Sequence, residues 1–112
     1  MKVIVRKGFT FIPEYMDNKK AEKKDQVKIT FKFLTGADFE EIMAESGADY
    51  TMEDQFLKQC EKVEGLIIVE DGKERDAEPK DLMNYAAFFP IYVEAKSAYM
   101  KEAVVGEEVK KK

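Results

Sequence analysis

Histidine is absent from this 112-residue chain, and cysteine occurs once, at Cys60. The first absence removes the commonest general base, the commonest metal ligand and any Ser-His or Cys-His pair. The second excludes an internal disulfide and a thiolate metal site, and it fits a reducing cytoplasm. With no histidine to activate it, Cys60 reads as a small buried apolar thiol. No long hydrophobic run is present. The densest apolar stretch, Tyr85 to Val93, is short and interrupted by Pro90, whereas a spanning helix needs roughly 20 apolar residues. Lys2 and Arg6 flank only Val3 to Val5, which is no signal-peptide core. A Walker loop, a dinucleotide-binding glycine pattern and EF-hand acid spacing are all missing.

Basic excess is missing too. The net charge of −4 argues against a dedicated nucleic-acid binder. The charge is uneven: through Thr35 there are nine Lys/Arg against four Asp/Glu, and from Gly36 onward ten against nineteen. Such blocks steer protein partners or favour head-to-tail self-association, or they simply solvate two surfaces. Acids are plentiful, but they fall on the presumed wet faces of helices rather than in a paired cleft. We therefore expect no enzyme, no cofactor and no metal site.

What is present specifies a small α+β domain. From Gln26 to Leu34, Val27, Ile29, Phe31 and Phe33 alternate with Lys28, Thr30 and Lys32, the pattern of a strand with one buried and one wet face. Before it, Phe9 and Phe11 lead to Pro13, which points to an edge strand or an extended arm over Phe11 to Tyr15, packed on its own domain or on a neighbour's sheet. Asp17 to Asp25 reads as a solvated loop.

Thr35 with Asp38, and Thr51 with Asp54, fit capping boxes. They predict a helix over Gly36–Glu45 with Phe39, Ile42 and Met43 on its apolar face. A second helix is predicted to about Lys62, carrying Phe56, Leu57, Cys60 and Val63. Gly47 ends the first by taking positive φ. Leu66 to Val69 reads as a buried strand, Asp71-Gly72 as a tight turn, and Lys73 to Asp76 as a polar return strand. Pro79 suits the first turn of a helix with Leu82, Met83, Tyr85 and Ala86 as contacts. After the break at Phe88-Phe89-Pro90, a last helix runs from Ile91 to Val105 with Tyr92, Ala95, Tyr99 and Ala103 on one face. Gly106 stops it. The expected architecture is a small antiparallel β-sheet packed against three to four α-helices, the C-terminal half mainly helical. Residues 1–106 form one domain and 107–112 a charged flexible tail.

The aromatic cluster Tyr85, Phe88, Phe89 and Tyr92 spans the helix break, and Tyr99 extends it. These five are the candidate protein-interface residues, since aromatics are enriched at interface hot spots. The same cluster could instead close the domain's own core.

Three features in order carry a family resemblance. They are the start from Val3 through Gly8 into Phe11-Ile-Pro-Glu-Tyr15 and Asn18, the strand Gln26 to Phe33, and Val63-Glu-Gly65 before a strand, Asp71-Gly72, a helix near Leu82, the Pro90 break and a last helix through Tyr99. This order resembles the tail assembly chaperone group of long-tailed bacteriophages and prophages. The resemblance implies a non-enzymatic morphogenesis protein of the bacterial host cytoplasm. It would bind the helical tape measure protein before tail-tube protein polymerises, keeping an apolar helical surface in solution. It also implies that a ribosomal frameshift near the A-rich codons of Lys110 to Lys112 yields a longer product, a plain lysine tail being the alternative. The other reading is a structural virion component, a head-tail connector or tail-tube subunit forming rings by self-association.

Overall fold

The computed structural model describes residues 1–2, 6–47 and 51–105. Within them the architecture is α+β: a three-stranded antiparallel sheet, a separate two-stranded hairpin and four α-helices. Strand β2 (Lys28–Lys32) lies between β1 (Gly8–Phe11) and β3 (Cys60–Glu64). Its alternation translates directly into burial. Ile29 and Phe31 are fully buried, while Lys28, Thr30 and Lys32 on the other face keep partial access to water. Phe9 pairs with Phe31 and Phe11 with Ile29, so β1 lays its aromatics on the same inner face.

Strand β1 is an edge, and the chain leaves it at the fully buried Pro13. The arm that follows packs on its own domain. Phe11 and Tyr15 lie against the core, and the Glu14 N–H donates to the Glu94 carboxylate at 2.8 Å. The solvated loop expected over Asp17 to Asp25 is mostly exposed, and residues 15–25 fold into two 3-10 turns. Asn18 staples them: its Nδ2 donates to the Pro13 and Val27 carbonyls at 2.8 and 3.0 Å, and its Oδ1 accepts from the Val27 N–H at 2.7 Å. These bonds hold Met16 and Asp17 at φ of 52° and 59°, a left-handed pair that costs a non-glycine residue about 1 kcal/mol or more each.

Both capping boxes form. The Thr35 and Thr51 hydroxyls accept from the Asp38 and Asp54 N–H groups at 3.2 Å, and the two carboxylates accept from the threonine N–H groups at 2.8 and 2.9 Å. They start α1 (Gly36–Ser46) and α2 (Met52–Gln59). Gly47 closes α1 at φ 68°. Of α1's expected apolar face only Ile42 is buried; Phe39 and Met43 are exposed.

Helix α2 does not reach Lys62. It ends at Gln59, and Cys60 enters β3 directly in extended conformation, φ −90° and ψ 110°. A β-bulge explains the misleading period. Phe31 opposes Cys60 and Thr30 opposes Lys62, so Glu61 is an extra residue in the ladder. One extra residue reverses the alternation beyond it. Cys60 and Val63, three apart, therefore both face the core, and three is also a helical spacing.

The run Leu66 to Val69 is not a buried strand. Strands β4 (Ile67–Glu70) and β5 (Lys73–Asp76) form a hairpin of their own, with Ile68 buried but Ile67 and Val69 exposed. Asp71 and Gly72 turn it with φ of 54° and 77°, both positive as a two-residue hairpin turn of matching twist requires. Helix α3 is one short turn, Asp81–Asn84. Tyr85 is extended and a 3-10 turn follows, so Tyr85 and Ala86 lie outside that helix. Pro90 occupies the first turn of α4 (Phe89–Val105), where its missing N–H costs nothing.

Helix α4 lays Ile91, Tyr92, Ala95 and Tyr99 into one core cluster with Ile29, Phe31, Phe56, Cys60, Val63, Ile68 and Leu82. Residues 3–5, the expected stop at Gly106 and the tail 107–112 lie outside the described residues, as does the side chain of Ala103.

Candidate functional site

The aromatics of this chain form a continuous path. Phe9 stacks on Phe31 and Phe33, with ring centroids 5.3 and 5.6 Å apart. Phe31 meets Phe56 edge-on at 5.9 Å, Phe56 meets Tyr92 at 4.8 Å, and Tyr92 touches Phe89 at 5.7 Å. The path thus runs from the sheet edge, through the core, to the outer surface at the start of α4. Offset and edge-to-face pairs of this kind add about 0.5–1.5 kcal/mol each beyond area burial.

Of the five candidate interface aromatics, Tyr92, Tyr99 and Phe89 lie on this path, while Tyr85 and Phe88 pair with each other. Tyr99 and Tyr92 are 6% and 7% exposed and belong to the core. Tyr99 packs against Phe9, Phe31 and Phe33, and its hydroxyl accepts the Leu34 N–H at 3.2 Å. Burial raises the Tyr99 pKa, so its hydroxyl stays protonated across the physiological range. Tyr85 and Phe88 are half-buried and meet edge-on at 5.8 Å. The Tyr85 hydroxyl accepts from Arg75 at 3.3 Å and donates to Glu70 at 3.4 Å, tying the helix break to the β4–β5 hairpin. Phe89 alone is open, with 53% of its surface exposed.

Residues that the sequence reading passed over share this surface. Val93 and Met100 lie on the outer side of α4 with Phe89, each about half exposed. Lys96 falls between them, half-buried, its ammonium 5.1 Å from the Tyr92 ring centroid. The signal was in the sequence: α4 is apolar on two sides, whereas a helix at the surface of a domain normally carries one apolar stripe. The methionines repeat the message. Among six, Met1, Met16, Met43, Met52 and Met100 are exposed and Met83 is half-buried. Unbranched and polarisable, methionine suits surfaces that adapt to apolar partners.

A concave feature adjoins the helix break. A cleft of about 360 Å³ lies between the N-terminal arm and the start of α4, walled by Pro13, Tyr15, Met16, Leu66, Phe88 and Ile91. Its walls are mainly apolar, and it is large enough for one or two protruding side chains. Elsewhere the polar groups are engaged structurally. Asp81 is held by Arg75, and Cys60 is buried, its thiol pKa pushed up to about 12 chiefly by that burial. Among the described residues no group of three or more Cys, Asp or Glu is placed to hold a metal ion, and no helix is long and apolar enough to cross a membrane. What the geometry offers is two apolar features, the cleft beside the N-terminal arm with Met16 in its wall and the outer side of α4 with Phe89, Val93 and Met100. No family model, curated protein or solved structure matches this chain.

Proposed function

We propose that this protein is a non-enzymatic tail morphogenesis protein of a bacteriophage or prophage. In this reading it is a tail assembly chaperone that acts in the bacterial host cytoplasm. It holds apolar helical surface of the tape measure protein in solution until tail-tube protein polymerises around it. The single observation that carries the reading is the exposure of the methionines: none of the six is buried, although the core is built from aromatic and branched residues. A client that presents many different apolar helical faces is best met by side chains that repack at low cost. The exposed aromatic Phe89 supplies an anchor for recognition of an apolar helix.

The test is co-expression with an apolar helical fragment of the tape measure protein. The fragment stays in the supernatant with the protein present and pellets without it. A fragment that pellets equally in both cases overturns the reading. If the protein instead forms rings whose mass is independent of concentration by light scattering, it is a structural virion component, a head-tail connector or tail-tube subunit.

A further inference from the structure

The outer face of α4 has a period of its own. Phe89, Val93, Lys96 and Met100 are spaced four, three and four residues apart, the alternation by which one helix presents a straight seam to another. Phe89, Val93 and Met100 are about half exposed, while Ile91, Tyr92, Ala95 and Tyr99 on an adjoining side of the same helix are buried in the core. A seam of this spacing fits a helix better than a strand or a loop.

Charge decides which helix. Lys96 sits at the centre of the seam, its ammonium over the Tyr92 ring. A second copy of α4 would bring Lys96 beside Lys96 in a parallel pair, and within one turn of it in an antiparallel pair. Like charges in a desolvated seam repel. The acids nearby are already engaged. The Glu94 carboxylate accepts the Glu14 N–H at 2.8 Å, and Glu102 pairs with Arg6 at 2.9 Å. Of the four seam residues Lys96 alone is charged.

The geometry points to a docking seam on α4 for a partner amphipathic helix whose own apolar seam carries an aspartate or glutamate opposite Lys96. The partner's apolar residues cover Phe89, Val93 and Met100, and its carboxylate meets the Lys96 ammonium as water leaves. Tyr92 holds that ammonium in place from beneath, so the pair forms with little ordering of the lysine. This inference deepens the chaperone reading. It rests on the helix-binding half of that reading and not on the identity of the client.

Two fluorescent peptides of about 21 residues test it, a length that holds a helix. Both carry leucine along the seam, and they differ only by glutamate or lysine at its centre. Anisotropy titrations are run on the wild type, Lys96→Glu, Val93→Asp and Met100→Asp. Val93 and Met100 are half exposed, and circular dichroism confirms each fold. The wild type binds the glutamate peptide about tenfold tighter than the lysine peptide, and Lys96→Glu inverts that order. Each aspartate variant loses both. Equal affinity for the two peptides, no saturable binding, or binding untouched by the aspartate variants overturns the proposal. So does a wild-type dimer that Val93→Asp dissociates, which assigns the seam to a second copy. The two readings fail separately. If Val93→Asp still keeps the tape-measure fragment in solution, the seam is wrong and the chaperone reading stands. If the wild type cannot hold the fragment yet shows the peptide inversion, the seam stands and that client is wrong.

Discussion

Arg75 and Asp81 form a two-pronged ion pair: Nη1 and Nη2 each donate to a separate carboxylate oxygen at 2.9 Å. The Asp81 side chain is 3% exposed, and it also accepts the Glu78 N–H at 2.7 Å. The pair fastens the β4–β5 hairpin to α3. Replacing Asp81 with Ala leaves that N–H and the guanidinium without their acceptor. We expect a loss of about 2 kcal/mol in urea unfolding. An unchanged midpoint would mean that the hairpin is held by Ile68 and Tyr85 alone.

The same pair sets an acid limb. The Arg75 hydrogen bonds hold the Asp81 pKa below its ordinary 3.8, burial opposes them, and the Glu78 N–H assists. A carboxylate depressed in the folded state stabilises above its unfolded pKa, and that stability is lost as pH falls through the folded value. Urea midpoints from about pH 6 down to about pH 2 should fall across this window. They should fall less steeply in Asp81→Asn, which cannot titrate. Parallel curves for the two proteins would contradict this.

Gly65 joins β3 to β4 at φ 79°, and a Cβ there would run into the Gln26 carbonyl oxygen. Gly72 has a similar φ of 77° with nothing within 4 Å. Gly72→Ala therefore costs only backbone strain, about 1 kcal/mol, and Gly65→Ala about 2 kcal/mol or more, because the backbone at Gln26 and Val27 leading into β2 must also shift. Thermal melts of the two variants compare them directly. Equal losses would show that the approach to Gln26 relaxes freely.

The local signals were legible because their causes are local. Alternation on β2, the two Thr-to-Asp boxes and the Asp71-Gly72 turn each need only a few consecutive residues. Strand β3 was illegible because its bulge at Glu61 gives Cys60 and Val63 a spacing that a helix shares, and because its partner β2 lies about thirty residues away. The candidate surface was half legible. Periodicity found the Tyr92, Ala95 and Tyr99 face of α4, but a repeat cannot say which of two apolar faces its own domain covers. Tyr92 and Tyr99 went inside, and Phe89 stayed out with Val93 and Met100.

Cys60 offers a clean probe of the core. With its thiol pKa near 12 through burial, almost no thiolate exists at neutral pH. Labelling by a maleimide at about pH 7.5 should be slower than for a free cysteine by a hundredfold or more, and should become fast in denaturant. Complete labelling of the native protein within minutes would mean that α4 does not stay closed over β3.

The most direct measurement of the central claim is the affinity of the protein for a fluorescent tape-measure helix, with Phe89→Ala and Phe56→Ala in parallel. Phe56 is 1% exposed and its truncation should cost about 3–5 kcal/mol of stability, whereas Phe89→Ala should leave the fold intact. We expect saturable binding by the wild type, weakened about tenfold or more by Phe89→Ala at unchanged stability. No binding by the folded wild type at concentrations up to about 100 µM, a free energy weaker than about −5.5 kcal/mol, would contradict it.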